Sequence, residues 1–322
     1  MKLWVTDIKR HIAMWSTRLG HLNWWPQHVY HFTDIHNAIA ILERGCLYSR
    51  AEVKRLGLMK VDNAGSEIIQ RTRPEHLAYV RLYFRPRTPT QYRNEGIRPI
   101  NQRELGGAHC PIPIYFCFDA LTVLARDDAE FSNGNMGSTS AFHSRERDFF
   151  LSIPFDLVFH NGAFPREQRD KIIFHRNAEV LIPSSLPIES TLKFIACRST
   201  AEWQTLLHLL PADLRNKWSS YIRLGEKGLF ERQWTYVEEV AIVDDKVKFR
   251  FNPSTLTPGP FQVSFSYREG GEGTERTWKG EQPALNNLLS IRINDAIGGV
   301  CTLHLDDALA FAAPVTFQEI LF

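Results

Sequence analysis

The chain of 322 residues is 43% hydrophobic and 23% charged, the balance of a folded protein with one large domain or two smaller ones. It lacks an apolar run near the roughly 20 residues of a membrane helix, and Asp7, Lys9, Arg10 and His11 interrupt the N-terminus where a signal peptide would be continuous. Five scattered cysteines, without a CxxC or a paired histidine, argue against zinc, so a cytoplasmic protein with no metal site is expected.

Charge divides along the chain. Residues 1–200 carry 26 Lys+Arg against 20 Asp+Glu, and residues 201–322 carry 12 against 16, giving +6 and −4. Residues 71–103 hold eight arginines, no lysine, and only Glu75 and Glu95 in opposition. An arginine strip suits planar, bidentate contact with phosphate; a solvated face with ordinary ion pairs is the other reading.

The first 28 residues contain Trp4, Trp15, Trp24 and Trp25 and read as a helix that ends before Pro26. Packing on the main domain is the simpler use of these indoles, base stacking the alternative. VYHFT is a short strand, and DIHNAIAILERG a helix with Asp34 at its N-cap, one apolar face, and Gly45 at its C′ stop. CLYSR returns extended. GSEIIQRTR is a second helical pattern with Ser66 as cap. AYVRLYF alternates like a strand and ends at PRTP. CPIPIYFCFDAL is a strand entering a helix, FSNGNMGSTS a loop, and FHRNAEVLIP a β-run headed by Glu179 and closed by Pro183. TLKFIACRS is a further strand, and residues 201–229 look helical. From about residue 230, VEEVAIV, KVKFRFN, FQVSFSYRE, ERTWKG, LLSIRIN and VCTLHLD are short strands at roughly ten-residue spacing, the pattern of a small antiparallel sandwich.

P-loop, GxSxG, HExxH and GxGxxG signatures are all lacking. His31 alone on a strand is ordinarily a satisfied core residue. Glu179, beside Val180, Leu181 and Ile182, either points to solvent by alternation or is buried at a cost of several kcal/mol unless paired.

The order of segments narrows this choice. YHFTDIHNAIAILERGCLYSR, AYVRLYFRPRTPTQY, FSNGNMGSTSAF and RNAEVLIP follow one another in the manner of the DarT family of DNA ADP-ribosyltransferases, which residues 29–200 resemble. The resemblance implies an α+β fold: an ADP-ribosyltransferase split sheet of two small antiparallel sheets with NAD⁺ between them. To this the sequence adds the sandwich-like C-terminal domain. The expected divisions are a Trp-rich leader over 1–28, the transferase domain over 29–200, a helical connector over 201–229 and the β-domain over 230–322.

The same resemblance assigns residues. His31, with Phe32 and Thr33, would contact NAD⁺; Gly45 and Leu47 would line its adenosine side; Tyr83 would stack on the nicotinamide. Arg71 matches the arginine beside the substrate base, with Arg50 its rival for the NAD⁺ phosphates. Glu179 matches the catalytic glutamate. A carboxylate is what the reaction needs, because cleaving the nicotinamide–ribose bond builds positive charge on the ribose. A pairing nitrogen of a base is hidden in a duplex, so the substrate must be a single strand or an extruded base. Arg81, Arg85 and Arg87, interleaved with aromatics, and Arg169 and Arg176, shortly before Glu179, are expected to touch nucleic acid.

Thymidine in single-stranded DNA is the favoured target and an mRNA base the alternative. By resemblance, a toxin role in a toxin–antitoxin or anti-phage defence system follows, with a macrodomain hydrolase as antitoxin. A non-catalytic nucleic-acid or partner-binding module on a degenerate core, and a transferase that modifies protein, are the competing readings. His31, Arg71 and Glu179 are all present, which speaks against degeneration.

Overall fold

A computed structural model describes residues 1–58, 73–103, 109–225, 228–269, 275–285, 287–293 and 299–315. Residues 65–72 of GSEIIQRTR, with Ser66 and Arg71, lie outside them. The strands are β1 (His28–Asp34), β2 (Cys46–Tyr48), β3 (Tyr79–Tyr83), β4 (Pro113–Asp119), β5 (Glu130–Ser132), β6 (His143–Ser144), β7 (Glu179–Pro183), β8 (Ser185–Pro187), β9 (Leu192–Cys197) and β10 (Ile222–Leu224). Seven more follow: β11 (Val237–Val243), β12 (Lys246–Phe251), β13 (Phe261–Glu269), β14 (Glu275–Gln282), β15 (Leu288–Arg292), β16 (Gly299–Leu305) and β17 (Ala308–Val315). One eight-stranded sheet has the order β10-β9-β4-β1-β3-β7-β5-β6, and β2 pairs with β8 separately. The expected α+β class holds, with the two halves of the core meeting at β1 and β3, where Tyr30 stands opposite Tyr83. Among the described residues no helix is long and apolar enough to cross a membrane.

By internal contacts the chain forms two units. The first comprises Met1–Phe32, Ala40–Arg93 and Tyr115–Ile195. Its leader helix, Val5–Arg18, turns Ile8, His11 and Trp15 inward. Trp4 packs on Phe150 at 5.4 Å between ring centroids, His11 on Phe155 at 4.1 Å and Trp15 on Phe159 at 5.4 Å. Phe84 meets Phe155 edge-on at 5.1 Å, so the strand β3 continues into the same aromatic core. The indoles of Trp4 and Trp15 are thus spent on packing; such ring pairs add about 0.5–1.5 kcal/mol each beyond their buried area.

The second unit comprises Thr33–Ile39, Asn94–Ile114 and Ala196–Phe322. The three-stranded sheet β11-β12-β15 and the four-stranded sheet β14-β13-β16-β17 bury one shared core. Phe249 of β12 sits against Phe265 of β13 and Phe311 of β17, each at 5.9 Å. β17 was not anticipated from sequence. ALAFAAPV does not alternate, and Pro314 is tolerated because β17 is an edge strand.

Residues 94–114 are woven into this unit. Glu95 and Glu202 flank Arg198, all with side chains at most 1% exposed. Arg198 donates to Glu95 at 3.3 Å, to both the Glu202 carboxylate and the Pro111 carbonyl, and lies 4.0 Å over the Tyr236 ring. Glu95 also accepts the backbone N–H groups of Glu231 and Arg232, each at 2.8 Å. Gly96, at φ +92°, lets Trp234 approach so closely that a Cβ would stand 2.9 Å from the Trp234 Cβ. Arg98 stacks over the Trp234 ring at 3.7 Å.

Candidate active site

Strand alternation places the site. In β3, Val80 and Leu82 are buried at 2% and 0% exposure and point to the core. Tyr79, Arg81 and Tyr83 therefore share the opposite face. β7 runs antiparallel with Tyr83 opposite Glu179 and Arg81 opposite Leu181. Glu179 is thus the diagonal neighbour of Arg81 on one face, within reach of a long side chain. Arg81 Nε donates to Glu179 Oε2 at 2.5 Å and Nη2 to Oε1 at 2.5 Å, a bidentate fork on a carboxylate only 1% exposed. The sequence left Glu179 either solvent-facing or buried and paired; it is buried and paired.

The backbone fixes the other end of the residue. The Glu179 N–H donates to Ser132 Oγ at 2.8 Å, and that hydroxyl donates to the Gly134 carbonyl at 2.8 Å. The loop after β5 is tied down in turn. Asn135 N–H donates to the Phe174 carbonyl at 3.1 Å. A Cβ on Gly134 would lie 2.3 Å from the Phe174 ring, so only glycine fits.

The electrostatics follow from burial. Desolvation pushes the Glu179 carboxyl above its ordinary value, and the Arg81 guanidinium opposes that rise. Desolvation, with the Glu179 charge added, holds the Tyr83 phenol neutral by raising it to about 12. Tyr83 also bonds Thr90, whose hydroxyl donates to Asn177 Oδ1 at 3.2 Å. Burial lowers His31 to about 4, so its imidazole is neutral at physiological pH. Its Nδ1 lies 3.3 Å from the Arg81 carbonyl. A carbonyl only accepts, so Nδ1 carries the hydrogen and Nε2 keeps a lone pair. His31 of β1, Arg81 and Tyr83 of β3 and Glu179 of β7 are therefore linked across three neighbouring strands.

The remaining residues assigned to NAD⁺ from sequence lie on β1, at the exit of the helix after it, on β2 and at the start of the helix Arg50–Arg55. The Phe32 ring lies 5.9 Å from that of Tyr115. Thr33, buried, accepts a hydrogen bond from the Asn37 amide at 3.2 Å. Gly45 takes φ +61°, as its C′ role requires, and its carbonyl accepts the Ile188 N–H at 3.0 Å. Leu47 pairs with Leu186 across β2 and β8. Arg50 opens the helix Arg50–Arg55, which Ser49 caps by accepting the Glu52 N–H at 3.2 Å. That helix packs against β3. Arg71 lies outside the described residues.

The arginines expected against nucleic acid take different positions. Arg81 is committed to Glu179. Arg85 is 1% exposed, donates to the carbonyls of Pro86, Val158 and His160, and lies 4.7 Å over the Trp25 ring. It braces the core, and a strand of nucleic acid has no access to it in this structure. Arg87 is half-buried at φ +55°, its N–H on the Gln91 amide oxygen at 2.7 Å. Arg176 donates to the Gly162 carbonyl at 3.1 Å and lies 5.0 Å over Phe164. Arg169 stands exposed at the start of the helix Arg169–Arg176. Ser132 and Gly134 escaped the sequence reading, because a loop composition does not reveal which hydroxyl meets which strand.

The family model for "ssDNA thymidine ADP-ribosyltransferase, DarT" matches residues 30–227. Among solved structures, DarT from Thermus sp. 2.9 in complex with ADP-ribosylated ssDNA is similar at 20% identity. That match covers 64% of this chain and 96% of the other, with a TM-score of 0.49. The same protein in complex with NAD⁺ is similar at 18% identity, covering 64% of this chain and 98% of the other, with a TM-score of 0.47. No curated protein matches the chain. The family model spans more than half of the 322 residues, from within β1 to beyond β10, and takes in every strand around Glu179. The chain belongs to the DarT family of ssDNA thymidine ADP-ribosyltransferases.

Proposed function

We propose that this chain transfers ADP-ribose from NAD⁺ to a ring nitrogen of thymidine in single-stranded DNA, with Glu179 as the catalytic carboxylate. The observation that carries the assignment is the bidentate Arg81–Glu179 pair, its carboxylate buried and its arginine half-buried, on the strand face shared with Tyr83. In the reaction the bond between ribose and nicotinamide breaks, and nicotinamide leaves with the electron pair. Positive charge grows on the ribose, and a fixed anion beside it lowers the barrier without reorganising. The fork from Arg81 uses one lone pair on each Glu179 oxygen, which leaves others to accept from a ribose hydroxyl. The base nitrogen then bonds to the ribose carbon and gives up its proton, for which the Glu179 carboxylate can serve as the base.

His31, neutral and with Nε2 free to accept, suits a ribose hydroxyl. Tyr83, held neutral, offers a flat face for the nicotinamide. Arg50, at the head of a helix lying on β3, suits the pyrophosphate. Thr33, Phe32, Gly45 and Leu47 complete the NAD⁺ side in this reading, and Arg71 serves the base. Arg169 is the best placed of the five arginines to meet a DNA backbone, because its side chain stands in solvent.

The test is transfer from NAD⁺ to oligonucleotides, read as a mass increase, with DNA and RNA of each base composition side by side. Adducts on thymidine-containing DNA are expected. Modification of RNA alone would move the target to the other nucleic acid, and modification of protein alone would remove nucleic acid from the reading. A toxin role in the cytoplasm, countered by a macrodomain hydrolase, belongs to the same proposal. Growth arrest by the wild-type chain but not by Glu179→Gln, relieved by co-expression of such a hydrolase, is its expected signature.

A further inference from the structure

The outer face of the sheet β11-β12-β15 is a grid of three short rows. Alternation buries Val247, Phe249 and Phe251 of β12 in the sandwich and turns Lys246, Lys248 and Arg250 outward. Register places Val243, Ala241 and Glu239 beside them on one side and Arg292, Ser290 and Leu288 on the other. Arg250 pairs with Glu239 at 2.7 Å, and Arg292 with Asp245 of the β11–β12 turn at 2.7 Å. Glu238, at the bulge in β11, accepts the Tyr236 hydroxyl at 3.3 Å. Lys246 and Lys248 take part in none of the ion pairs among the described residues, and Lys248 has only alanine and serine beside it.

Three features set this face apart from an ordinary solvated one. Lys246 stands directly opposite Arg292, and like charges in that register destabilise a sheet. Lysines placed to keep a sheet from pairing with another chain sit on edge strands, whereas β12 is the middle strand of its sheet. The basic excess also runs against its surroundings, since residues 201–322 carry 12 Lys+Arg against 16 Asp+Glu. A polyanion crossing the grid removes the Lys246–Arg292 repulsion and finds two lysines free to meet it.

We propose that the outer face of β11-β12-β15 binds single-stranded nucleic acid through its phosphates, with Lys246 and Lys248 as the principal contacts. The partner class rests on the single-stranded DNA reading above; the site is separate from Glu179. The face carries no exposed aromatic ring among its nine grid positions, so it holds backbone and does not read bases.

The experiment measures affinity of the full chain for a long and a short thymidine oligonucleotide across a salt series, alongside transfer to the short one. Each phosphate contact on a single strand contributes about 0.7 to the log–log salt slope. The double variant Lys246→Ala, Lys248→Ala is expected to flatten the long-strand slope by roughly 1.4. It should keep the wild-type melting temperature and wild-type transfer to the short oligonucleotide. Lys246→Arg, Lys248→Arg should retain the wild-type slope. An unchanged slope in the alanine variant overturns the proposal, as does equally tight, lysine-dependent binding of polyglutamate, which would make the partner an acidic protein. Loss of transfer by the wild-type chain on every oligonucleotide would strike the catalytic reading alone, because the salt slope is read without catalysis.

Discussion

Arg81 and Glu179 stand two positions apart on adjacent antiparallel strands and meet through two parallel N–H···O bonds of 2.5 Å. The arginine fixes both the orientation and the charge of a carboxylate that burial alone would drive towards protonation. Glu179→Gln should fold and lose transfer by at least about 10²-fold, the usual cost of one preorganised electrostatic group. Arg81→Ala leaves that carboxylate buried without its partner and should cost about 3–5 kcal/mol of stability. In urea unfolding, the double variant Arg81→Ala, Glu179→Gln should recover part of this loss. Additive losses would mean that the two residues do not act as a pair.

Acid should weaken the first unit through His11. Its ring is 8% exposed, and burial lowers it to about 3 in the fold. The unfolded imidazole takes a proton near 6.5, so between these values the unfolded chain binds more protons and stability falls as pH falls. At pH 5 the loss is about 2 kcal/mol for this residue. His31, lowered to about 4, acts in the same direction. Urea midpoints at pH 7.5 and pH 5 should diverge in the wild type and diverge less in His11→Phe; parallel shifts in both proteins would contradict the assignment.

Gly134 is expected to be intolerant of a side chain. A methyl there collides with Phe174, and overpacking of this kind costs about 1–3 kcal/mol. The loop's Gly134 carbonyl accepts from the Ser132 hydroxyl that holds the Glu179 N–H, so transfer should fall together with stability. Gly134→Ala, Phe174→Leu should recover both. Recovery of stability without activity would show that the hydroxyl, and not the packing, sets the position of Glu179.

Removing residues 228–322 should not release a working transferase core. Glu95 would lose the N–H donors of Glu231 and Arg232, and Arg98 its Trp234 platform. Within the intact chain, Arg198→Met strands two buried carboxylates and should cost about 3–5 kcal/mol. A truncated chain with a cooperative melt and wild-type transfer would contradict this expectation.

Periodicity and turn chemistry made most of the fold legible. The Asp34 cap, the Gly45 stop and the strands of residues 237–305 all lie in segments where the local pattern and the tertiary structure agree. β17 was hidden because a run of small apolar residues has no period. The helices at 147–158 carried no cap or stripe strong enough to notice. Glu179 stands out in the sequence through the order of segments and not through its own neighbourhood. The pairing of Arg81 was not legible because a strip of arginines looks uniform in sequence, while register decides which one faces a carboxylate. Arg85 failed for a related reason: nothing local distinguishes a buried arginine that donates to three carbonyls from one in solvent.

The placement of residues 94–114 also bears on how the protein is made. Glu95, Gly96 and Arg98 find their partners at positions 198, 231, 232 and 234, so this stretch leaves the ribosome more than a hundred residues before the atoms that will hold it. A nascent chain can assemble the aromatic core of its first unit early. It cannot seat the segment between β3 and β4 until residue 234 of the 322 has been made. The stretch that Glu95 anchors is thereby left unfinished for most of the chain's own translation.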